Sequence, residues 1–404
     1  MRNLYIFLTN SIRNVGGSQL YIANKTDWLE SIGWDVQTFF YNKGNIIIDR
    51  LKRFNDNRLD FLSLDFCLSK KRDRMQLLAK IDSKSYNKII IESHEVGLCL
   101  WGEFLAKELG GMNVCYPLSE DFHSLDEQRK AYLFRKLKDN LLWGIDRKSI
   151  PMLLGYSAET ENRQLKAVGC TKICYSNEDY PLSELFEGQT IVCLSRLDKP
   201  FIMPMMHSVV SFVKANAKKR YNLILIGDAA KDSTRESVLN VTKGIDNLKV
   251  VTTGYLNPIP RKLLNLADVS IASSGCVVVT SNAGILTIAI DAHDYKAIGI
   301  YGVTTNNAIF RQNEPPIEIS ELLDDVLNKH KYTKYHKTEE DSSSLGYDYS
   351  EHYKIIEQYS PLLSYNVFFK LSLYEKIKKC IYILCGKTAI DWIGDFHARL
   401  KNCI

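Results

Sequence analysis

The stretch Asn14-Val15-Gly16-Gly17-Ser18-Gln19 lies between an apolar start, Leu4 to Leu8, and a helix-patterned run that closes at Gly33. A strand, a paired-glycine turn and a helix bring bare backbone N–H groups against a ligand, because glycine tolerates positive φ and carries no Cβ. Such a turn marks the mouth of a nucleotide-type α/β domain, and it makes Gly16 and Gly17 candidate ligand-binding residues. The helix predicted from Leu20 to Ile32 puts Leu20, Ala23, Trp28, Leu29 and Ile32 on one face, with Gly33 as its C-cap.

Outward from that turn, runs of Val, Ile and Leu alternate with helix-like runs, the pattern of parallel sheets covered on both faces. In the first half a strand returns at Asp35–Phe40. Another, Lys88–Ile91, ends in Glu92-Ser93-His94-Glu95, and a third, Asn113–Tyr116, stops at Pro117. A polar, proline-bearing stretch, Tyr175–Glu184, reads as an interdomain linker. Strands then follow at Thr190–Leu194, Asn222–Ile226, Leu248–Val251, Val269–Ala272, Ile285–Ile290 and Ala297–Ile300, before a helix at Ile319–Leu327. The expected architecture is α/β, with two doubly wound Rossmann-like domains, 1–180 and 181–330, facing a cleft. A polar linker and C-terminal helices, 331–404, are expected to pack back on the N-domain.

The chain has 404 residues, 45% of them hydrophobic, enough to build two cores. A net charge of +5 is too slight to demand nucleic acid and is compatible with phosphate-bearing ligands. The ten cysteines lack C-x-x-C spacing and companion histidines, so they read as reduced, mostly packed thiols in a cytoplasmic protein with no metal and no cofactor. Neither an export signal nor an apolar run of membrane-spanning length is visible.

The chemistry-bearing cluster of the second half is Leu194-Ser195-Arg196-Leu197-Asp198-Lys199, where a strand's carboxyl end meets a loop. Arg196 can fork onto two diphosphate oxygens, with Lys199 as a point charge. The plainer reading, a surface loop whose cations pair with Asp198, stands beside it. Gly227-Asp228 ends another strand, and Ser273-Ser274-Gly275 offers hydroxyls and a glycine to phosphate or ribose oxygens.

That order, paired glycines, then S-R-L-D-K, then G-D, Gly254-Tyr255 and A-D-V-S-I-A-S-S at Ala267–Ser274, resembles glycosyltransferases of the GT-B fold. Among them it is similar to family 4, which builds bacterial surface glycans from nucleotide-sugars. The resemblance implies a donor held between two domains, with Arg196 and Lys199 neutralising the departing nucleoside diphosphate and no metal required. It implies that Gly16 and Gly17 approach the donor phosphates, with Gly227, Ser274 and Gly275 on the nucleotide side. It also places His94 and Glu95 near the acceptor or donor sugar, where the plainer reading of His94 is a strand-end residue capping the next helix. Glu95, Glu120, Asp121 and His123 are candidate acceptor-side bases.

The chain departs from the family pattern where two glutamates eight positions apart are usual. Here the region reads Ser274 to Thr287, with Gly284 in place but Val279 or Thr280 at the second acidic position. The expected partners are a nucleotide-sugar donor and a glycan or lipid-linked acceptor, with no nucleic acid. Two other readings are a noncatalytic sugar-nucleotide or glycan-binding homologue and a sugar-nucleotide epimerase. The aromatic, lysine-rich tail Tyr365–Asn402 reads as helices bracing the N-domain, in preference to a basic amphipathic surface resting on the inner face of the membrane.

Overall fold

The computed structural model describes residues 2–81, 86–118, 125–171, 175–182, 185–229, 231–332, 349–358 and 365–401, with side chains up to 394. The chain divides into two compact units: residues 1–13, 21–168 and 347–404 form one, and 14–20 with 169–346 form the other.

The first unit carries β1 (Arg2–Leu8), α1 (Gly17–Ser31), β2 (Trp34–Phe39), α2 (Lys71–Leu78), β3 (Tyr86–Ser93), α3 (Val96–Leu109), β4 (Met112–Cys115), α4 (Glu127–Lys138), α5 (Ser149–Leu154) and α6 (Ala158–Glu161). The first turn of α1 clusters with the second unit. The strands are all parallel in the order β2-β1-β3-β4, so the connections leaving β1 and β3 diverge at adjacent carboxyl ends. That is a topological switch point, where open α/β sheets take ligands. Helix α3 lies close on the sheet because Gly102 has no side chain: a Cβ there would stand 2.2 Å from Ser93 Oγ and 2.4 Å from Asn113 Oδ1. Between β2 and β3 the chain runs through three 3-10 turns whose Phe54, Phe61 and Phe66 are buried, a segment for which periodicity predicts no element.

The second unit adds β5 (Tyr175–Ser176), β6 (Gln189–Leu194), α7 (Ile202–Ala215), β7 (Tyr221–Ile226), α8 (Asp232–Asn240), β8 (Leu248–Gly254), β9 (Ile259–Pro260), α9 (Arg261–Leu264), β10 (Val269–Ala272), α10 (Gly275–Asn282), β11 (Thr287–Ile290), β12 (Ala297–Ile300) and α11 (Ile319–Leu327). Its main sheet has the order β12-β11-β10-β6-β7-β8. The strands bury both faces: Ile191, Cys193, Leu223 and Leu225 point into one apolar cluster, and Val192, Leu194, Ile224 and Ile226 into the other. Only β12 runs antiparallel to its neighbour, because the link from Ile290 to Ala297 is too short for a crossover helix. The polar stretch after 174 is not bare loop, since β5 pairs with β9 and the Tyr180 hydroxyl donates to Thr253 O.

Helices α12 (Ser350–Glu357), α13 (Leu373–Cys385) and α14 (Lys387–Lys401) belong to the first unit. Two details differ from the sequence reading. Ile32 lies beyond the end of α1 and is exposed, whereas Asn24, Lys25 and Thr26, polar residues that the predicted face does not include, are buried. Of the cysteines, Cys380 and Cys385 are exposed, not packed. Among the described residues, no helix is long and apolar enough to cross a membrane.

Candidate functional site

In the second unit the strand that opens the sheet, β6, sits between β7 and β10, and its chain goes one way to β7 while β10 lies on the other side. The main strands therefore follow the Rossmann order, and the switch point falls between β6 and β10. The loop after β6 begins at Ser195-Arg196, and the loop after β10 is Ser273-Ser274, so register alone brings two predicted segments to one edge.

Gly227 joins the third loop to them. A Cβ at Gly227 would stand 1.9 Å from Ser195 O, and its φ of 145° is one that other residues rarely adopt. The bare backbone lets the loops after β6 and β7 touch, with Leu197 N–H donating to Asp228 O at 2.9 Å. Gly227 thus acts in packing two strand ends. Asp228 caps this corner: Oδ1 accepts from Ala229 N–H, and Oδ2 faces Gly254 at the end of β8.

Arg196 is exposed, with Nε 3.4 Å from Asp198 Oδ1. The pairing that the plainer reading expected is therefore present, but a partly solvated contact of that length is worth little and yields readily to a doubly charged ligand. Lys199 is half-buried, its N–H turned to Arg196 O at 3.4 Å. Ser274 holds a left-handed φ of 59° immediately before α10, its N–H donating to Ala308 O at 2.7 Å. A non-glycine residue in that conformation is strained, and strain of this kind clusters at ligand-binding loops. Gly275 opens α10 and lies against Thr171 and Cys170, and Gly17 lies against Cys170 as well.

Tyr255 stands in the motif order, but sequence reading gave it no site role. It follows Gly254 at the end of β8, and its hydroxyl is buried with no hydrogen-bond partner among the described residues. Burial, with Asp198 and Asp228 nearby and Arg196 only partly offsetting them, pushes its pKa up to about 12, so it stays a neutral donor. Asn257 Oδ1, two residues on, is buried and unpartnered too. Val279 and Thr280 are core residues of α10: Thr280 Oγ1 bonds Cys276 O at 3.0 Å and Thr287 Oγ1 at 2.9 Å.

In the first unit the end of β3 is organised around Glu92, which sequence reading left as the tail of a strand. The strand in fact runs on through Ser93, so Glu92 is inside the sheet, opposite Phe7. Its carboxylate takes the Lys25 ammonium at 2.5 Å, the Tyr21 hydroxyl at 2.8 Å, His94 Nε2 at 2.8 Å and the Tyr5 hydroxyl. Burial opposes ionisation, but Lys25 and His94 outweigh it and hold the carboxyl well below its usual value. His94 is buried, its Nδ1 unpartnered among the described residues, and it does not cap α3. Glu95 is the N-cap residue, with no side-chain cap bond, and it accepts the Tyr41 hydroxyl at 2.7 Å. The pair read as one unit is therefore split: His94 turns inward and Glu95 does not. Glu120, Asp121 and His123 lie outside the described residues.

His352 of α12 completes the cluster. Its Nε2 faces Lys166 O at 2.8 Å, and because a carbonyl only accepts, Nε2 carries the proton and Nδ1 accepts from the Lys25 ammonium at 3.2 Å, the Tyr21 hydroxyl having its one proton on Glu92. Burial and then the Lys25 charge lower its pKa to about 3.

No protein-family model matches the chain, and no curated protein matches it in sequence. Solved structures do. The crystal structure of Anabaena Alr3699/HepE in complex with UDP and glucose is 13% identical, with a TM-score of 0.57 over 88% of this chain and 99% of that one. The same protein in complex with UDP-glucose gives 14%, 0.53, 82% and 91%. The apo form of the lipopolysaccharide outer core galactosyltransferase WaaB gives 13% and 0.46 over 95% and 100%.

The chain has the GT-B fold. The two HepE structures hold UDP with glucose, and UDP-glucose. Within this GT-B chain, the second unit brings Arg196, Gly227, Ser274 and Gly275 to neighbouring strand ends. His94 and Glu95 stand at the switch point of the first unit's sheet.

Two measurements test these arrangements. His352 is neutral when folded and takes up a proton when unfolded, so stability falls as pH drops from about 6.5 towards about 3, by at most about 1.4 kcal/mol per pH unit. Urea unfolding between pH 6.5 and 5 should show that slope in the native chain and lose it in His352→Gln; equal slopes would contradict the assignment. Removing an unpartnered buried hydroxyl costs nothing, so Tyr255→Phe should melt no lower than the native chain, and a drop of several degrees would mean the hydroxyl is already paired.

Proposed function

We propose that this chain transfers a sugar from a nucleotide-sugar donor, of the UDP class, to a glycan or lipid-linked acceptor in bacterial surface polysaccharide synthesis. The observation that carries the reading is the convergence, at the ends of β6, β7, β8 and β10, of a weakly held Arg196, a strained Ser274 before a helix N-terminus, and an unpartnered Tyr255 hydroxyl. Arg196 and the Tyr255 hydroxyl are groups that a nucleoside diphosphate would satisfy. The UDP and UDP-glucose in the HepE structures support a uridine donor.

In this reading an acceptor hydroxyl oxygen bonds to the sugar's anomeric carbon and gives its proton to Glu95, while the bond to the diphosphate oxygen breaks and the departing diphosphate keeps the electron pair. Arg196 leaves Asp198 and forks onto two diphosphate oxygens, and Lys199 adds a second positive charge. The first turn of α10, entered through Ser274 and Gly275, presents N–H groups and the positive end of the helix dipole. The cations serve in place of a metal. Gly16 and Gly17 offer backbone N–H groups from the turn before α1, and Gly227 keeps the Ser195 and Asp228 loops close enough to act on one ligand. Glu95 is the acceptor-side group of this reading, and His94 supports it from the buried side of the same strand end. With Val279 or Thr280 in place of a carboxylate, ribose recognition passes to other groups, and Tyr255 and Asn257 offer buried polar atoms that have no partner among the described residues.

Titration calorimetry with UDP tests it. Arg196→Ala should weaken UDP about tenfold or more, since a charge-assisted pair contributes about 1.5–3 kcal/mol, and should leave the melting temperature in place because Arg196 is exposed. Tyr255→Phe should weaken UDP several-fold. Native binding that is unchanged in Arg196→Ala would overturn the site, and UDP binding without sugar transfer would turn the reading to a noncatalytic binder.

A further inference from the structure

The C-terminal helices carry an apolar face that points away from the unit they belong to. On α13, Leu373, Ile377, Cys380 and Leu384 recur at intervals of four, three and four residues, one stripe of a helix. Leu373 is 76% exposed, Ile377 53% and Leu384 82%, and Cys380 is exposed with them. Tyr374 beside the stripe and Trp392 on α14 are exposed as well.

The orientation of this stripe is set by the opposite side of the helix. Tyr382 is buried and donates its hydroxyl to Asp73 at 2.8 Å, Lys379 Nζ donates to Cys67 O at 2.7 Å, and Lys70 Nζ donates to Ile383 O at 3.3 Å while lying 4.3 Å from the Tyr382 ring centre. A capping box at Ser372 and Glu375 fixes the start of the helix. These bonds hold α13 on the segment around α2 by its polar side. The helix thus rests on the first unit through Tyr382 and Lys379, while Leu373, Ile377, Cys380 and Leu384 stay exposed.

An outward apolar stripe needs a cover. The charge around it selects one: from 365 to 404 the chain has seven Lys and Arg against three Asp and Glu. Glu375 faces Arg129, and Asp391 is taken by Lys387, so these two acids are locally answered while Lys370 and Lys376 are not acid-paired among the described residues. Leucine and isoleucine flanked by lysine, with a tyrosine and a tryptophan at the border, fit the boundary between anionic headgroups and acyl chains. A second copy of the chain would bring the same excess of lysines against itself.

We infer that α13 and the start of α14 form a docking surface for an anionic bilayer, lying in its interface without crossing it. The inference does not depend on the sugar-transfer reading, and it decides which face of the first unit meets the membrane.

Co-sedimentation of the full chain with vesicles tests it. The native protein should partition onto phosphatidylcholine vesicles containing phosphatidylglycerol about tenfold more strongly than onto pure phosphatidylcholine, and high salt should erase the difference. The double variant Ile377→Glu, Leu384→Glu should lose that binding, with native melting temperature and native UDP affinity, since both side chains are exposed. Lys370→Glu with Lys376→Glu should lose it too. Vesicle binding that survives the Ile377 and Leu384 substitutions, or a native chain that ignores phosphatidylglycerol, overturns the inference. So does a dimer that the same substitutions split, which would give the stripe to a second copy.

Discussion

A strand buried on both faces leaves its polar chemistry one place to go, the carboxyl end where it meets the next loop. The central strands of the two larger sheets are of this kind, and the groups of the candidate site stand where a strand has just stopped: Arg196 after β6, Asp228 after β7, Tyr255 after β8, Ser274 after β10 and Glu95 after β3. Strand order then decides which ends are neighbours. Because β6 lies between β7 and β10, groups separated by dozens of residues share an edge, and Gly227 closes the remaining distance by allowing backbone to rest on backbone.

Glu92 breaks that constraint and shows what breaking it requires. A carboxylate inside a sheet would be strongly destabilising alone, so it is surrounded by donors from β1, α1 and the segment after β3. Lys25, its counter-charge, is met in turn by His352. One buried charge thus ties together a strand, the helix that follows the glycine turn, and a helix from the far end of the chain. This cluster holds the base of the first unit, while the exposed Arg196 shows the opposite arrangement, a charge kept loosely so that a ligand can take it.

The strands of the two larger sheets, the glycine turn and the helix at 319–327 were legible in the linear order, because they depend on periodicity and on turn chemistry within a few residues, whereas the short pair β5 and β9 was not. The role of Gly227 was legible only as a ligand contact, since nothing local says that Ser195 O stands where its Cβ would be. His94 and Glu95, adjacent in sequence, read as a pair but point to different partners, because a residue at a strand end and a helix N-cap face different environments. Tyr255 was legible as part of a motif but not as a site residue. Its importance rests on a missing bond, which exists only once burial is known.

Sequence alone determined that the chain is an α/β protein of two doubly wound parts, because hydrophobic period and Gly, Pro and Asp punctuation are local properties of the polymer. Only the tertiary structure decided that Lys25 and Glu92 are core residues, that β12 turns back antiparallel, and that the stripe of α13 faces outward. Each of these depends on contacts between residues far apart in the chain, where a buried partner or an anchored tyrosine outweighs the pattern that the nearest neighbours suggest.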